Sequence, residues 1–341
     1  MKKVGPLKRS LGLFIFVLFI GVLIFLILYN KTIERPLKTN EKSVVIEVRQ
    51  GEGFYDVLNR LDKENKIFNK LLIKVKLSID KRNIKLNEGI YEIETNSNLD
   101  ELITALESTA ENKDVIKLTI PEGYSIDEIA GAVEAEGFCT KEEFINAAKE
   151  YTLPNFVKAD SKKRYNIEGF LYPDTYLIKK GSDANQIINM MIYRFNQVLN
   201  QVKDETGLNI KDEEIEKAIT IAAMIEKEAK FDIDRPLISS VIYNRLEKGM
   251  KLQLDATVLY ALGYHVDIVL NKHLEVDSPY NTYKYEGLPV GPICNPGIKS
   301  IKSALLPTKT DYLYYILQKD GTHYFSNNYD DFLNKKNELG Y

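Results

Sequence analysis

LGLFIFVLFIGVLIFLILY, residues 11–29, carries no charge and is almost wholly apolar. As a helix rising about 1.5 Å per residue it is roughly 28 Å long, close to the ~30 Å of a bilayer's hydrocarbon core. It divides the chain into a short arm and a large body. A cleaved signal peptide is the alternative reading. The run is long for one, and the chain continues Asn30-Lys31-Thr32-Ile33-Glu34-Arg35 with no small-residue cleavage site. Lys2, Lys3, Lys8 and Arg9 precede the run. The denser cations on that side predict residues 1–10 in the cytoplasm, a single pass through residues 11–29, and an extracytoplasmic body.

Outward from the span, composition bounds the body. Residues 1–40 carry seven Lys/Arg and one Glu, a formal +6, and the whole chain is −3, so residues 41–341 hold −9. An acidic body lacks the clustered cations that phosphate neutralisation requires, so nucleic acid is not an expected partner. Two cysteines, Cys139 and Cys294, allow one long-range disulfide and no framework; two free thiols are the default. Tryptophan is absent, so a flat ligand would stack on Tyr or Phe.

Residues 30–43 are polar and read as a stalk. Val44 to Val48 reads as a strand, residues 51–61 as a turn and amphipathic helix with Phe54, Val57, Leu58 and Leu61 on one side, residues 67–77 as a second helix, and residues 89–93 as a second strand. That order is β-α-α-β, with a short helix over 99–106. The pattern restarts: a strand over 115–120, the turn Pro121-Glu122-Gly123, and an S-x-x-E capping box at Ser125 and Glu128. Gly51, Phe54, Val57 and Leu61 match Gly123, Ile126, Ile129 and Val133 at an offset of 72, a weak repeat; two unrelated strand–turn–helix units explain it nearly as well. The longest helical periodicity of the body begins at Asp212, another helix follows Asp234 and Pro236, and two strands flank Gly321.

On a helical wheel from Asp212, Ile215, Ile219 and Ala222 form a stripe, and Glu226 falls on it; Glu228 falls toward the flank beside Lys227 and Lys230. Glutamate is seldom fully buried without a partner. On spacing alone, a helix-end Glu that reaches solvent or meets a buried arginine such as Arg245 is the better explanation. The chemical alternative is a general acid whose pKa is raised in a dry site. No zinc-binding, phosphate-loop or nucleophile-elbow motif competes, and His265, His273 and His323 are scattered. No metal or cofactor is expected.

Five strings add to this: EGFLYPDTY (168–176), AMIEKE (223–228), LQLDATV (252–258), SPYNTY (278–283) and GLPVGPICNPG (287–297). With IPEG (120–123) and the N-terminal anchor, they resemble the YceG-like endolytic murein transglycosylases over nearly the whole chain after the anchor. Departures are Val290, Leu254, Ala256 and Phe332, where Pro, Thr or Ser, Pro, and His are frequent in the family; none touches Glu226.

The resemblance implies an α+β protein: a transmembrane helix, a LysM-like β-α-α-β subdomain over 44–113, and a mixed α+β catalytic domain over 114–341 with the catalytic Glu on a helix. It implies a lyase that cuts peptidoglycan glycan strands and leaves 1,6-anhydromuramyl ends, with Glu226 as the catalytic carboxyl. Gln253, Asp255, Tyr280, Asn281 and Tyr283 are the candidates for sugar binding or for orienting the acid. For each, a turn, cap or packing role explains the residue about as well. Partners implied are glycan strands, the membrane through residues 11–29, and peptidoglycan synthases. Two other classes remain open: a non-catalytic peptidoglycan-binding scaffold, and a water-using muramidase with Asp255 as second carboxylate.

Overall fold

The structure is a computed structural model that describes residues 6–39, 42–49, 51–108, 115–264, 266 and 269–340. The first half of the arm, two residues of the expected stalk (Asn40 and Glu41), the end of the expected LysM-like subdomain and His265 lie outside these. Two compact units make up the chain, Met1–Val115 and Ile116–Tyr341.

The first unit opens with helix α1 (Pro6–Glu34). From Phe16 to Leu28 its large apolar side chains are exposed. Among the described residues it is the one helix long and apolar enough to cross a membrane. Strands β1 (Ser43–Val48) and β2 (Gly89–Glu94) pair antiparallel, with Ile46 opposite Tyr91. Between them lie α2 (Phe54–Lys63) and α3 (Lys70–Asp80), and α4 (Leu99–Glu107) follows. The four apolar residues of α2 are all buried. α3 begins three residues later than its periodicity suggests, because Asn69 caps it through Leu72 N–H and Ile67 is bridged to Leu37 instead. The expected stalk is therefore largely built in. Residues 30–34 continue α1, and Leu37, 3% exposed, joins the core of this unit.

The second unit holds β3 (Val115–Thr119), paired with β4 (Thr175–Lys179). Between them are α5 (Ile126–Ala135), opened by the reciprocal Ser125–Glu128 box, and α6 (Lys141–Glu150). Such a cap stabilises a helix by about 1 kcal/mol. Then come α7 (Ala184–Thr206), α8 (Asp212–Glu228), α9 (Arg235–Glu247), α10 (Asp255–Leu262), the short α11 (Asn271–Leu274) and α12 (Ile298–Leu305). β5 (Tyr314–Leu317) and β6 (His323–Ser326) form an antiparallel hairpin before α13 (Tyr329–Leu339). Every residue from Ala218 to Ile225 is buried, so α8 is a central helix enclosed on all sides. α9, α10 and α12 pack against it.

Candidate active site

The enclosure of α8 sets the surroundings of its last turn. Glu226 leaves the helix where the core ends, and its side chain is 7% exposed. Its Oε1 lies 3.2 Å from Arg235 Nη1, and its Oε2 accepts the Gly297 N–H at 3.0 Å. Arg235, at the start of α9, is itself 9% exposed at its side chain. Its guanidinium also donates to Ser300 Oγ on α12 and, at 3.2 Å through Nε, to Asp232. Gly297 is the N-cap of α12, so a helix start with its partial positive charge faces the carboxylate. The arginine partner of Glu226 is thus Arg235. Arg245, suggested by the sequence, instead donates to the carbonyls of Leu313 and Leu252 at 2.6 and 2.8 Å.

A second carboxyl lies against the same glycine. A Cβ on Gly297 would come 1.9 Å from Glu122 Oε1, so a larger residue there requires the Glu122 side chain to move. Partial desolvation and the negative charge of Glu226 raise the pKa of Glu122, an exposed residue whose carboxyl turns toward the site, with Arg235 and Lys299 opposing. Glu122 sits in the turn between β3 and α5. There Gly123 adopts φ +82°, and a Cβ on it would stand 3.6 Å from Glu226 Cγ. Lys227 Nζ donates to Gly123 O at 3.0 Å.

Asn295 ties this turn in place. It exchanges backbone hydrogen bonds with Gly123 and Tyr124 at 2.9 and 2.8 Å. Its side chain donates to Tyr124 O and Glu168 Oε1, both at 2.9 Å, and accepts from Leu171 N–H at 2.8 Å. Glu168 is fully buried and also accepts from Ile126 N–H at 3.1 Å and from Tyr260 hydroxyl at 2.9 Å. Burial pushes its pKa up to about 7, against those donors. Glu168 is a structural knot that joins the 168–172 loop to the start of α5.

Of the remaining candidates, Asp255 and Tyr283 lie near Glu228. Its Oε2 accepts the Tyr315 hydroxyl at 3.0 Å, and burial, aided by the charge of Asp255, raises its pKa to about 7. Asp255 is exposed, is the first residue of α10 and not its cap, and accepts the Tyr283 hydroxyl at 2.6 Å. Gln253 is exposed with φ +55°, in the left-handed region that non-glycine residues seldom occupy; such backbone strain clusters at functional sites. Tyr280 and Asn281 are placed differently. Tyr280 is 4% exposed, packs edge-on to Tyr260 at 4.8 Å, and its hydroxyl accepts Arg164 N–H at 3.1 Å. Asn281 is 1% exposed; its amide donates to Leu274 O and Val276 O at 2.8 Å, and its oxygen accepts Tyr283 N–H at 2.9 Å. Both are occupied in holding the 274–284 loop. The muramidase candidate Asp255 lies with Glu228, whereas the second carboxyl at the Glu226 end is Glu122.

Sequence reasoning missed Arg235, Glu122, Gly297 and the enclosure of Glu228. Two of these stood inside quoted strings: Glu122 in IPEG, where it read as a turn residue, and Gly297 at the end of GLPVGPICNPG. The histidines bring no ligand set together among the described residues. His323 Nδ1 lies 2.8 Å from Asp234 Oδ2, which also accepts the His323 N–H at 3.0 Å, pinning the β5–β6 hairpin to the start of α9.

Residues 46–338 match the sequence model of the YceG-like family. An endolytic murein transglycosylase of Bacillus subtilis is 34% identical over 312 residues, covering 88% of this chain and 86% of that protein. One of Streptococcus pneumoniae is 31% identical over 324 residues, and this chain covers 58% of its length. The crystal structure of a YceG-like protein from Listeria monocytogenes superposes with a TM-score of 0.60 at 34% identity, over 87% of this chain and all of that one. By the extent of these matches, the chain belongs to the YceG-like family.

Proposed function

We propose that this chain is an endolytic peptidoglycan lytic transglycosylase. It cleaves the MurNAc-β-1,4-GlcNAc bond of nascent glycan strands to give 1,6-anhydromuramyl ends and so terminates elongation. The observation that carries the reading is the setting of Glu226: one carboxyl at the end of an enclosed helix, gripped by Arg235 and the Gly297 N–H beside Glu122. The names of the relatives at 31–34% identity support the same activity.

In this mechanism the Glu226 carboxyl, in its protonated form, donates to the glycosidic oxygen as the bond breaks. The resulting carboxylate then takes the proton of the muramyl 6-hydroxyl as that oxygen attacks the anomeric carbon. No water is consumed, and one carboxyl serves as acid and then base. Arg235 and Gly297 N–H fix the orientation of Glu226. Gln253, Asp255 and Tyr283 contact the sugar, while Tyr280 and Asn281 support the loop that carries Tyr283. The family reading makes residues 44–113 a LysM-like subdomain and residues 114–341 the catalytic domain. Residues 11–29 span the membrane, with residues 1–10 cytoplasmic and the body outside, within reach of strands leaving the peptidoglycan synthases.

One observation favours a second assignment of the acid. Glu228, with its pKa near 7, meets the usual requirement for a general acid at neutral pH. Substitution separates the two. Glu226→Gln keeps shape and loses proton transfer, so it should abolish cleavage of glycan strands while binding persists; Glu228→Gln should retain substantial activity. The reverse pattern transfers the role to Glu228. Binding with no cleavage by the parent protein on any strand would leave only the scaffold reading.

A further inference from the structure

α3 has two apolar faces, and among the described residues one is buried in the core while the other is exposed. Leu72, Ile73 and Leu77 face the core. On the opposite side Leu71 and Ile79 are 69% and 67% exposed, with the half-buried Val75 between them, at spacing i, i+4, i+8. Phe68, 41% exposed, lies just before the helix. A single exposed leucine needs no explanation, but three aligned apolar residues form a continuous face.

The position of this face relative to α1 says what covers it. α3 packs on the end of α1. Lys31 Nζ lies 4.9 Å above the Phe68 ring, and Tyr29 lies within electrostatic range of Lys76. The start of α3 thus meets α1 near Lys31, just past the end of the uncharged run. The junction has no slack: Phe68 N–H donates to Pro36 O at 2.9 Å, Lys38 N–H to Lys66 O at 2.8 Å, and Thr32 is buried. If α1 stands across a bilayer, this junction lies at its surface. Tyr55, 49% exposed and with Lys74 Nζ 5.8 Å over its ring, adds an aromatic and a cation beside the stripe, the residue types that gather at membrane interfaces.

We propose that Phe68 and the Leu71, Val75 and Ile79 face of α3 form a membrane-contact surface that lies in the body-side leaflet of a phospholipid bilayer. The inference rests on α1 being the membrane anchor. It fixes the first unit at the bilayer surface instead of at the end of a free stalk.

The absence of tryptophan makes the test direct. Single variants Leu71→Trp, Ile79→Trp and Phe25→Trp of the full chain are reconstituted into phosphatidylcholine–phosphatidylglycerol vesicles carrying acyl-chain bromines. The proposal expects the first two to emit blue-shifted fluorescence quenched at least two-fold, as Phe25→Trp does. Quenching at Phe25→Trp with unquenched, water-like emission at positions 71 and 79 overturns the proposal and leaves the anchor standing. Blue-shifted but unquenched emission at 71 and 79 means a protein surface covers the stripe, and also overturns it. An unquenched Phe25→Trp removes the anchor itself.

Discussion

Glu228→Gln should make the protein more stable at alkaline pH. The Glu228 carboxyl has a pKa of about 7 in the folded chain against an ordinary 4.5, chiefly because burial disfavours its charge. Between those values the folded state holds a proton that the unfolded state has released, so stability falls as pH rises from 4.5 to 7. Below 4.5 both states are protonated and nothing is lost; above 7 the whole cost is present. At ~1.4 kcal/mol per pH unit, the cost for one such group is on the order of 3 kcal/mol. Glutamine copies the protonated form and still accepts the Tyr315 hydroxyl. The variant should therefore match the parent near pH 4.5 and exceed it at pH 8. With a urea dependence of about 3 kcal/mol per molar for a unit of this size, the difference is a midpoint shift of about 1 M. Glu168 and Glu122, also raised by desolvation, add slope of the same sign, so Glu228→Gln should remove only part of the parent's pH dependence. Urea unfolding followed by circular dichroism at pH 4.5 and pH 8 measures both. An unchanged slope, or a variant less stable than the parent at pH 8, would refute the reasoning.

Other outcomes follow from the same contacts. Gly297→Ala places a methyl against Glu122 Oε1; because Glu122 is exposed and can swing out, stability should drop by only about 1 kcal/mol, while cleavage falls by ten-fold or more, read by parallel melting and glycan-strand assays. Arg235→Met leaves the buried Glu226 without its partner and should cost about 3–5 kcal/mol; a double variant with Glu226→Gln should recover part of that loss, and strict additivity would show that the pair is not coupled. Cysteine at Lys38 should react with a membrane-impermeant thiol reagent in intact cells and cysteine at Lys3 should not; labelling at Lys3 reverses the topology.

How much was legible depended on burial. The β-α-α-β order, the Ser125 box and the long α8 could be read because period and capping are local properties. The spans of α8 and α9 follow directly from Asp212 and from Asp234 with Pro236. The wheel separated Glu226 from Glu228 more sharply than their burial does. A wheel assumes one buried face, and α8 from Ala218 to Ile225 has none exposed, so just beyond it Glu228 is half-buried as Glu226 is. Arg235 was hidden because its partner lies nine residues earlier, across a loop whose path the sequence does not give. Glu122 and Gly297 meet only after more than 170 residues of intervening chain have folded. Asn281 and Tyr280 are polar residues in a loop, which from sequence reads equally as support or contact; burial of 1% and 4% decides for support. The stalk misled because its polar residues flank Leu37, whose single apolar side chain is enough to draw the segment into the core.

The central claim is that one carboxyl, Glu226, cuts the strand without water. Purified protein acting on un-crosslinked glycan strands in solvent enriched in heavy oxygen, with mass analysis of the new ends, tests it most directly. The account expects 1,6-anhydromuramyl ends arising internally along the strand, free of solvent oxygen, and their loss in Glu226→Gln. Reducing ends carrying the heavy oxygen would contradict it and establish a hydrolase in its place.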